Sequence, residues 1–498
     1  MTTTRTDAHS PPSLAARIGL ILGPLWVLAT LVLPSPAGMS PAAWHCVGLA
    51  LLLATWWATE AIPIPATSLL PIPLAPALGI AELKGTAASY ANPTIYLFLG
   101  GFLLGIAMQR WNLHRRIALR ILDLVGQKPR QQIAGFMLAT GFISMWVSNT
   151  ATAIMMLPIG MSVVSLFASA DAREVQRYAT ALLLAIAYAA SIGGIATLIG
   201  TPPNAILAGY LASEQNIELG FAEWMTVGLP VSLAMMAVAW WWLTRGGFDL
   251  RLQDSENSSE NDDEDKHSQD GNVIRDELGK LGPLSAAEMR VGVVFLLAAL
   301  AWITRPLLND MGVDWLSDTS IALIAGVGLF LIPSGNEPHR PLLLWEDTQD
   351  LPWGILLLFG GGLALASSIS SSGLADWIAN QLSLFDVLPL LLLIGAVVLV
   401  IIFLTELTSN TATAAAFLPL LGALAISLGI DPLLITVPAA IAASCAFMMP
   451  VATPPNAIVF ATGKMKIQSM IQAGFLLNLV GAVLVTLISV AVVEAFWL

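Results

Sequence analysis

The sequence predicts an all-α polytopic membrane protein, and three observations carry that prediction. The 498-residue chain is 56% hydrophobic and only 11% charged, where a soluble domain carries about 25% charged residues. Its mean hydropathy is +0.78, and apolar stretches of about 18 residues or more recur along it, each long enough to cross a hydrocarbon core. The third observation is a repeat. Ser148-Asn149-Thr150 and Ser409-Asn410-Thr411 place the same polar triplet in two apolar surroundings. A transmembrane β-barrel would need short segments of alternating polarity, which the sequence lacks.

Taken in order, residues 1–15 form an N-terminus expected to be cytoplasmic. Arg5 and Arg17 precede an apolar run from Ile18 to Leu33. That run is at the long end for a signal peptide, so an uncleaved first span is expected. Spans are placed at 16–34, 42–62, 64–80, 94–109, 179–212, 225–243, 291–308, 318–333, 352–369, 432–461 and 470–496, about 11 transmembrane helices in all. Two further apolar stretches, 132–168 and 385–428, carry the triplets. Each is too long for one span and is interrupted in its middle. Cys46 and Cys445 are the only cysteines, and their apolar settings argue against a disulfide framework or a zinc cluster. Eight acidic residues lie between Asp254 and Asp270, a run that reads as a solvated, disordered loop.

Charge sets the expected orientation. Arg110, Arg115, Arg116, Arg120, Lys128 and Arg130 cluster in one segment. Its amphipathic pattern suggests a cytoplasmic helix lying in the interface. Arg173 and Arg177 follow the first triplet stretch, so both its ends read as cytoplasmic and the stretch as a re-entrant hairpin. No Lys or Arg occurs between Pro341 and Gly463, so the second stretch reads as entering from the opposite side.

The two halves correspond. An offset of 261 maps the first triplet onto the second, Gly100-Gly101 onto Gly361-Gly362, Ala151-Thr152 onto Ala412-Thr413 and Pro158 onto Pro419; an offset of 252 maps Thr201-Pro202-Pro203-Asn204 onto Thr453-Pro454-Pro455-Asn456. Shared motifs of opposite sidedness imply an inverted-topology repeat, the architecture of many secondary transporters.

The motifs have a definite chemistry. In hydrocarbon an unpaired polar group costs several kcal/mol, so each triplet must meet partners or a ligand. Side-chain oxygens and exposed carbonyls suit a small hard cation, while N–H and O–H donors and helix N-termini suit a carboxylate. Two consecutive prolines should break the helix at Thr201-Pro202-Pro203 and again at Thr453-Pro454-Pro455, freeing carbonyls near Gly200 and Ala452. Neither motif contains Lys or Arg. Glu60 and Glu406 are intramembrane acids and therefore candidates for function; Glu406, three residues before Ser409, is placed to brace the hairpin or sense a cation. No Ser/His, paired-Asp or His-Glu-x-x-His constellation falls in the spans, so no enzyme activity is expected.

With "GGIATLIGTPPN", "FMMPVATPPNAIVFATG" and the paired "SNT", the chain resembles the divalent-anion:sodium symporters over roughly residues 16–496. That family includes sodium–dicarboxylate and sodium–citrate cotransporters. The resemblance implies two re-entrant hairpins, a homodimer and an elevator-type transporter in the plasma (bacterial inner) membrane. By position it implies that Asn149, Thr150, Ser409, Asn410 and Thr411 contact substrate, helped by Thr201 and Pro454. It implies one sodium site on Ser144, Ser148, Asn149 and Gly200, and a second on Thr405, Thr408, Asn410 and Ala452.

The expected organisation is a first scaffold part at 16–109 and a first transport part at 110–243. An acidic cytoplasmic linker follows at 244–290, then a second scaffold part at 291–369 and a second transport part at 370–498. The expected function is sodium-coupled uptake of C4-dicarboxylates such as succinate, malate or fumarate. Anion exchange, citrate or sulfate symport, and an anion channel remain as alternatives.

Overall fold

A computed structural model of the chain describes residues 13–498, apart from 127, 167–171, 247, 249–263, 338 and 383–388. Helices α1 (Leu14–Val32) and α2 (Pro41–Thr59) pack as a pair. Ser13 and Ser40 accept from Ala16 N and Ala43 N, each at 3.1 Å, so each hydroxyl satisfies one of the donors that a helix start leaves unpaired. The expected span 64–80 is instead two short helices, α3 (Ile64–Thr67) and α4 (Pro71–Ala77). Pro71, Pro73 and Pro76 remove the donors that a continuous helix would need. After α5 (Leu83–Ala88), Asn92 caps α6 (Pro93–Arg110).

The basic segment forms α7 (Leu113–Leu124), entered through Asn112 at φ 58°. Helices α8 (Pro129–Ser144) and α9 (Asn149–Leu166) make the first hairpin. Helices α10 (Ala172–Ile195) and α11 (Pro202–Glu214) replace the expected span 179–212, and α12 (Phe221–Trp241) follows. Next come α13 (Glu264–Leu281), α14 (Ala286–Asp310), α15 (Asp318–Gly328), α16 (Trp353–Ser371) and α17 (Leu374–Leu382). Helices α18 (Leu390–Thr405) and α19 (Asn410–Ser427) make the second hairpin. Helices α20 (Pro432–Ala443) and α21 (Pro454–Phe460) replace the expected span 432–461, and α22 (Ile467–Val492) closes the bundle. The outermost residues of the two stretches expected to hold the hairpins, 167–168 and 385–388, lie outside the described residues.

Among the described residues nine helices are long and apolar enough to cross a membrane. All but Asn410–Ser427 overlap expected spans, Arg173–Ile195 only the first part of 179–212. The remaining expected spans, 64–80, 318–333 and 432–461, fall on shorter apolar helices. Arms α8 and α18 have 16 residues each, short of the roughly 20 that a full crossing needs. The acidic run also differs from expectation. Residues 254–263 lie outside the described residues, but from Glu264 the chain is helical, as α13, and it packs on α7.

Helices α8, α9, α10, α12, α18, α21 and α22 pack chiefly on one another and on α20, whereas α19 packs on α20 and also on α11, α16 and α17; α6 packs chiefly on α15, with smaller contacts to α11 and α14. The paired glycines lie where backbones meet. A methyl on Gly100 would come within 2.5 Å of the Ala322 carbonyl, and one on Gly361 within 2.6 Å of Ser68 O. Gly100→Ala and Gly361→Ala should each cost about 1–3 kcal/mol and lower the melting temperature in detergent. Gly328→Ala, where nothing lies within 4 Å, should leave it unchanged.

Candidate functional site

Each triplet begins a helix at a hairpin tip: Asn149 opens α9 and Asn410 opens α19. In the first hairpin, Ser144 Oγ lies 2.6 Å from Asn149 Oδ1 and 2.7 Å from Ala190 O. In the second, Thr405 Oγ1 lies 2.7 Å from Asn410 Oδ1 and 3.0 Å from Ala443 O. Ser144 and Thr405 are fully buried. A hydroxyl has one hydrogen to offer, yet each here faces two acceptors. Lone pairs are therefore crowded together, an arrangement that a small cation would relieve. Among the described residues no group of three His, Cys, Asp or Glu side chains gathers to hold a metal, so the cation ligands available at the tips are neutral oxygens. A methyl on Gly194 would lie 2.9 Å from Asn149 Oδ1 and 3.0 Å from Gly200 O. Bare glycine thus lets Gly200 O join the first cluster. The second copy has Ala446 and Ala452 at these places.

The helix breaks supply the carbonyls. Thr201 and Thr453 are extended, at φ −142°, ψ 143° and φ −138°, ψ 148°. The breaks are longer than the prolines alone require, running over 196–201 and 444–453. Asn204 and Asn456 hold them open. Asn204 Nδ2 donates to Gly194 O at 3.2 Å and to Thr197 O at 2.8 Å. Asn456 Nδ2 donates to Ala446 O at 3.2 Å and to Met449 O at 3.1 Å. These bonds correspond residue for residue at the 252 offset.

The halves also cross. Helix α11 packs on the second hairpin's arm α19, and α21 packs on the first hairpin's arm α9. At the crossing Ser444 Oγ lies 3.4 Å from Thr201 Oγ1, whereas Thr453 Oγ1 turns to its own helix and accepts from Asn456 N at 3.3 Å.

The anchoring of the two tips differs. Thr197 Oγ1 donates to Met145 O at 2.5 Å. At the place of Met145 the second hairpin has Glu406, which is 3% exposed. Its Oε1 accepts from Phe447 N (2.7 Å), Met448 N (2.8 Å) and Asn478 Nδ2 (2.7 Å), and its Oε2 from Met449 N at 2.9 Å. This carboxylate braces the second break against the second hairpin. Glu60, by contrast, is exposed in a left-handed turn at the end of α2.

Of the residues singled out by sequence, the structure brings together Ser144 with Asn149, Thr405 with Asn410, and Gly200 near Asn149. Asn149, Thr150, Ser409, Asn410 and Thr411 are half-buried, Ser148 and Pro454 are exposed, and Thr201 is buried. Thr408 is not hydrogen-bonded to Thr405 or Asn410. Its hydroxyl lies 3.0 Å from Leu404 O and 2.6 Å from Thr413 Oγ1. The Ala190 and Ala443 carbonyls and the bracing roles of Asn204, Asn456 and Asn478 escape the sequence reading. One signal was present: Ala189-Ala190-Ser191 recurs as Ala442-Ala443-Ser444.

The sequence profile of the sodium:sulfate symporter transmembrane region matches residues 16–498. A protein named sodium-dependent dicarboxylate transporter SdcS, from Staphylococcus saprophyticus, is 44% identical over 482 residues, covering 95% of this chain and 90% of that protein. One of the same name from Staphylococcus aureus is 44% identical over 497 residues, covering 97% and 92%. Two solved structures share the fold. The YdaH transporter of Alcanivorax borkumensis has a TM-score of 0.58 at 15% identity, covering 90% of this chain and 99% of that one. MtrF of Neisseria gonorrhoeae has a TM-score of 0.57 at 13% identity, covering 97% and 95%.

Glu406→Ala would leave three backbone N–H groups and the Asn478 amide without their acceptor. It should cost about 3–5 kcal/mol, as when one partner of a buried charged contact is removed. Melting in detergent would show a large drop for Glu406→Ala, and a drop of only about 0.5 kcal/mol or less for Glu60→Ala at its exposed turn.

Proposed function

The chain belongs to the sodium:sulfate symporter transmembrane family, and on that premise we propose that it is a multi-pass membrane transporter coupling sodium to the uptake of C4-dicarboxylates. The observation that carries this reading is the duplicated oxygen cluster, Ser144–Asn149–Ala190 and Thr405–Asn410–Ala443. Oxygen-only ligands suit sodium, which is a substrate here rather than a resident cofactor.

The clusters also orient donors. With Oδ1 of Asn149 and Asn410 turned to the cation clusters, each amide Nδ2 is left to donate elsewhere. Each amide stands at the N-terminal end of an 18-residue helix, α9 or α19, where the backbone dipole favours an anion. Two matching donor sets suit a substrate with a carboxylate at each end, and Thr150 and Thr411 add a hydroxyl to each. This arrangement favours a dicarboxylate over sulfate, which presents a single compact centre. The two Staphylococcus relatives, whose names specify dicarboxylate, point the same way. With no Lys or Arg in the motifs, bound sodium and helix ends must balance the anion, so sodium precedes substrate.

Transport follows by alternating access of the elevator kind. The two hairpins and the helices packed on them, α19 with its contacts to α16 and α17 included, carry the loaded site past α6, α14 and α15, and the working unit is a homodimer. No chemical step is assigned, and the protein is read as a transporter without enzyme activity.

Reconstituted protein should accumulate labelled succinate only under an inward sodium gradient. Equal uptake in potassium would sink the symport claim, and a need for internal succinate without any gradient would identify an exchanger. Asn149→Ala and Asn410→Ala should each lower uptake by about 10- to 100-fold, the effect of losing a hydrogen bond to a charged group. Their melting temperatures should stay near wild type, and wild-type rates in both would remove these residues from the site.

A further inference from the structure

The contacts of α13 have no part in the site just described, yet they tie three elements together. Helix α7 is the chain's link between α6 and the first hairpin. Helix α13 leads within four residues into α14, and it also reaches the hairpin arm α9. The bonds between α7 and this connection form a graded series.

Arg116 is the innermost. Its guanidinium donates to Glu288 at 2.7 and 3.1 Å and to the carbonyls of Gly282 at 2.9 Å and of Leu281 and Pro283 at 3.3 Å. The Arg116 and Glu288 side chains are 11% and 5% exposed. Next, Arg115 pairs with Glu277, at 36% and 17% exposure. Outermost, Arg275 Nε donates to Asp123 Oδ1 at 3.2 Å, at 69% and 29% exposure. Asp123 stands seven residues beyond Arg116 on the same helix, about 10 Å along its axis. Glu277 is held below the usual carboxylate range by its hydrogen bond to Lys280, with Arg115 adding to this; it is therefore charged at neutral pH.

We propose that residues Arg275–Leu281 of α13 form a strap that clasps α7 and restrains the first hairpin, with Arg116 as the fixed pivot and Asp123–Arg275 as the releasable end. This rests on the alternating-access reading. For α8 and α9 to move relative to α6 and α14, α7 must tilt. The buried, five-bonded Arg116 resists separation, while an exposed pair is worth about 0–1 kcal/mol and is screened by salt. The weakest pair lies farthest from the pivot, where a tilt displaces the helix most.

The test uses the full chain in proteoliposomes with sodium-driven succinate uptake. Arg275→Gln and Asp123→Asn should each raise the maximal rate by about 1.5- to 5-fold, the rate equivalent of an exposed pair. The KM values for succinate and sodium should stay unchanged. The exchanged pair, Asp123→Arg with Arg275→Asp, should return the rate to wild type. Raising internal potassium chloride from about 20 to about 300 mM should speed the wild type and leave Arg275→Gln unaffected. Unchanged rates in both variants, or a change that the exchanged pair does not reverse, would overturn the strap. Spin labels on Leu124→Cys and Gly279→Cys, exposed neighbouring positions that leave the Asp123–Arg275 pair intact, provide a readout independent of transport. Their separation should be short at low salt and acquire a longer population at high salt. If the wild type carries no succinate, the transport reading fails, and the label distances alone decide whether the clasp exists; a distance insensitive to salt rejects it.

Discussion

Everything at the centre of this molecule depends on one constraint: backbone polar groups cannot be left bare inside an apolar bundle. The chain stops being helical in that interior at 196–201 and 444–453, and each break leaves carbonyls and N–H groups that are mostly buried. Each such group costs several kcal/mol if unmet. The fold meets them with the same device twice. An asparagine two residues inside the following helix reaches back to the loop carbonyls, while a glycine on the next long helix lets that helix approach. A methyl on Gly228 would lie 2.6 Å from Ile195 O, and one on Gly474 2.2 Å from Phe447 O. Once the breaks are held, a hairpin tip can lean on each, and Ser144 and Thr405 find Ala190 O and Ala443 O within reach.

The device is duplicated, but its electrostatics are not. The first half uses small neutral groups: Gly194 and Gly200, the Thr197 hydroxyl on Met145 O, and Ser232 Oγ on Ile192 O at 2.9 Å. The second half uses a carboxylate with four N–H donors and accepts alanine at the glycine positions. The Asn478 amide, at the place that Ser232 holds in the first half, completes the carboxylate's shell. A buried charge that gathers so many donors is bound by the loop as much as it binds it, since removing either side strands the other. The second tip therefore carries a carboxyl group held by four N–H donors four residues from Asn410, and the first has no counterpart.

Much of this was legible in the sequence. The offsets of 261 and 252 expose the repeat, and the double prolines mark the breaks. The absence of Lys and Arg around the second triplet separates its setting from that of the first. What escaped has a common cause. A backbone carbonyl such as Ala190 O has no residue-type signature, so only the recurrence of Ala-Ala-Ser points to it. Asn204 carries no role in the sequence beyond closing the repeated Thr-Pro-Pro-Asn motif, and its Nδ2 is spent on the loop. The acidic run looked disordered because it has little apolar surface of its own to bury. From Glu264 it is nevertheless helical, and farther along the same helix Arg275 pairs with Asp123 and Glu277 with Arg115 on α7, 152 or more residues away in sequence. The spans 64–80 and 318–333 were read by hydropathy alone, which cannot tell a complete crossing from a shorter helix.

The proposed coupling follows from the charges that the site omits. A lysine or arginine would bind an anion whether or not sodium were present, and the empty carrier would then be loaded by anion alone. Neutral oxygens and amides at Ser144, Asn149, Thr405 and Asn410 do little for a carboxylate in the absence of a cation. Sodium changes this twice over. It places positive charge a few ångströms from the anion, where the low dielectric makes Coulomb attraction worth several kcal/mol, and it fixes each asparagine so that its amide N–H groups face the substrate. Binding free energy shared in this way between two ligands is reciprocal: succinate must tighten sodium as much as sodium tightens succinate. Under the proposed reading, the missing cationic side chain is what makes the protein a symporter rather than a simple anion binder.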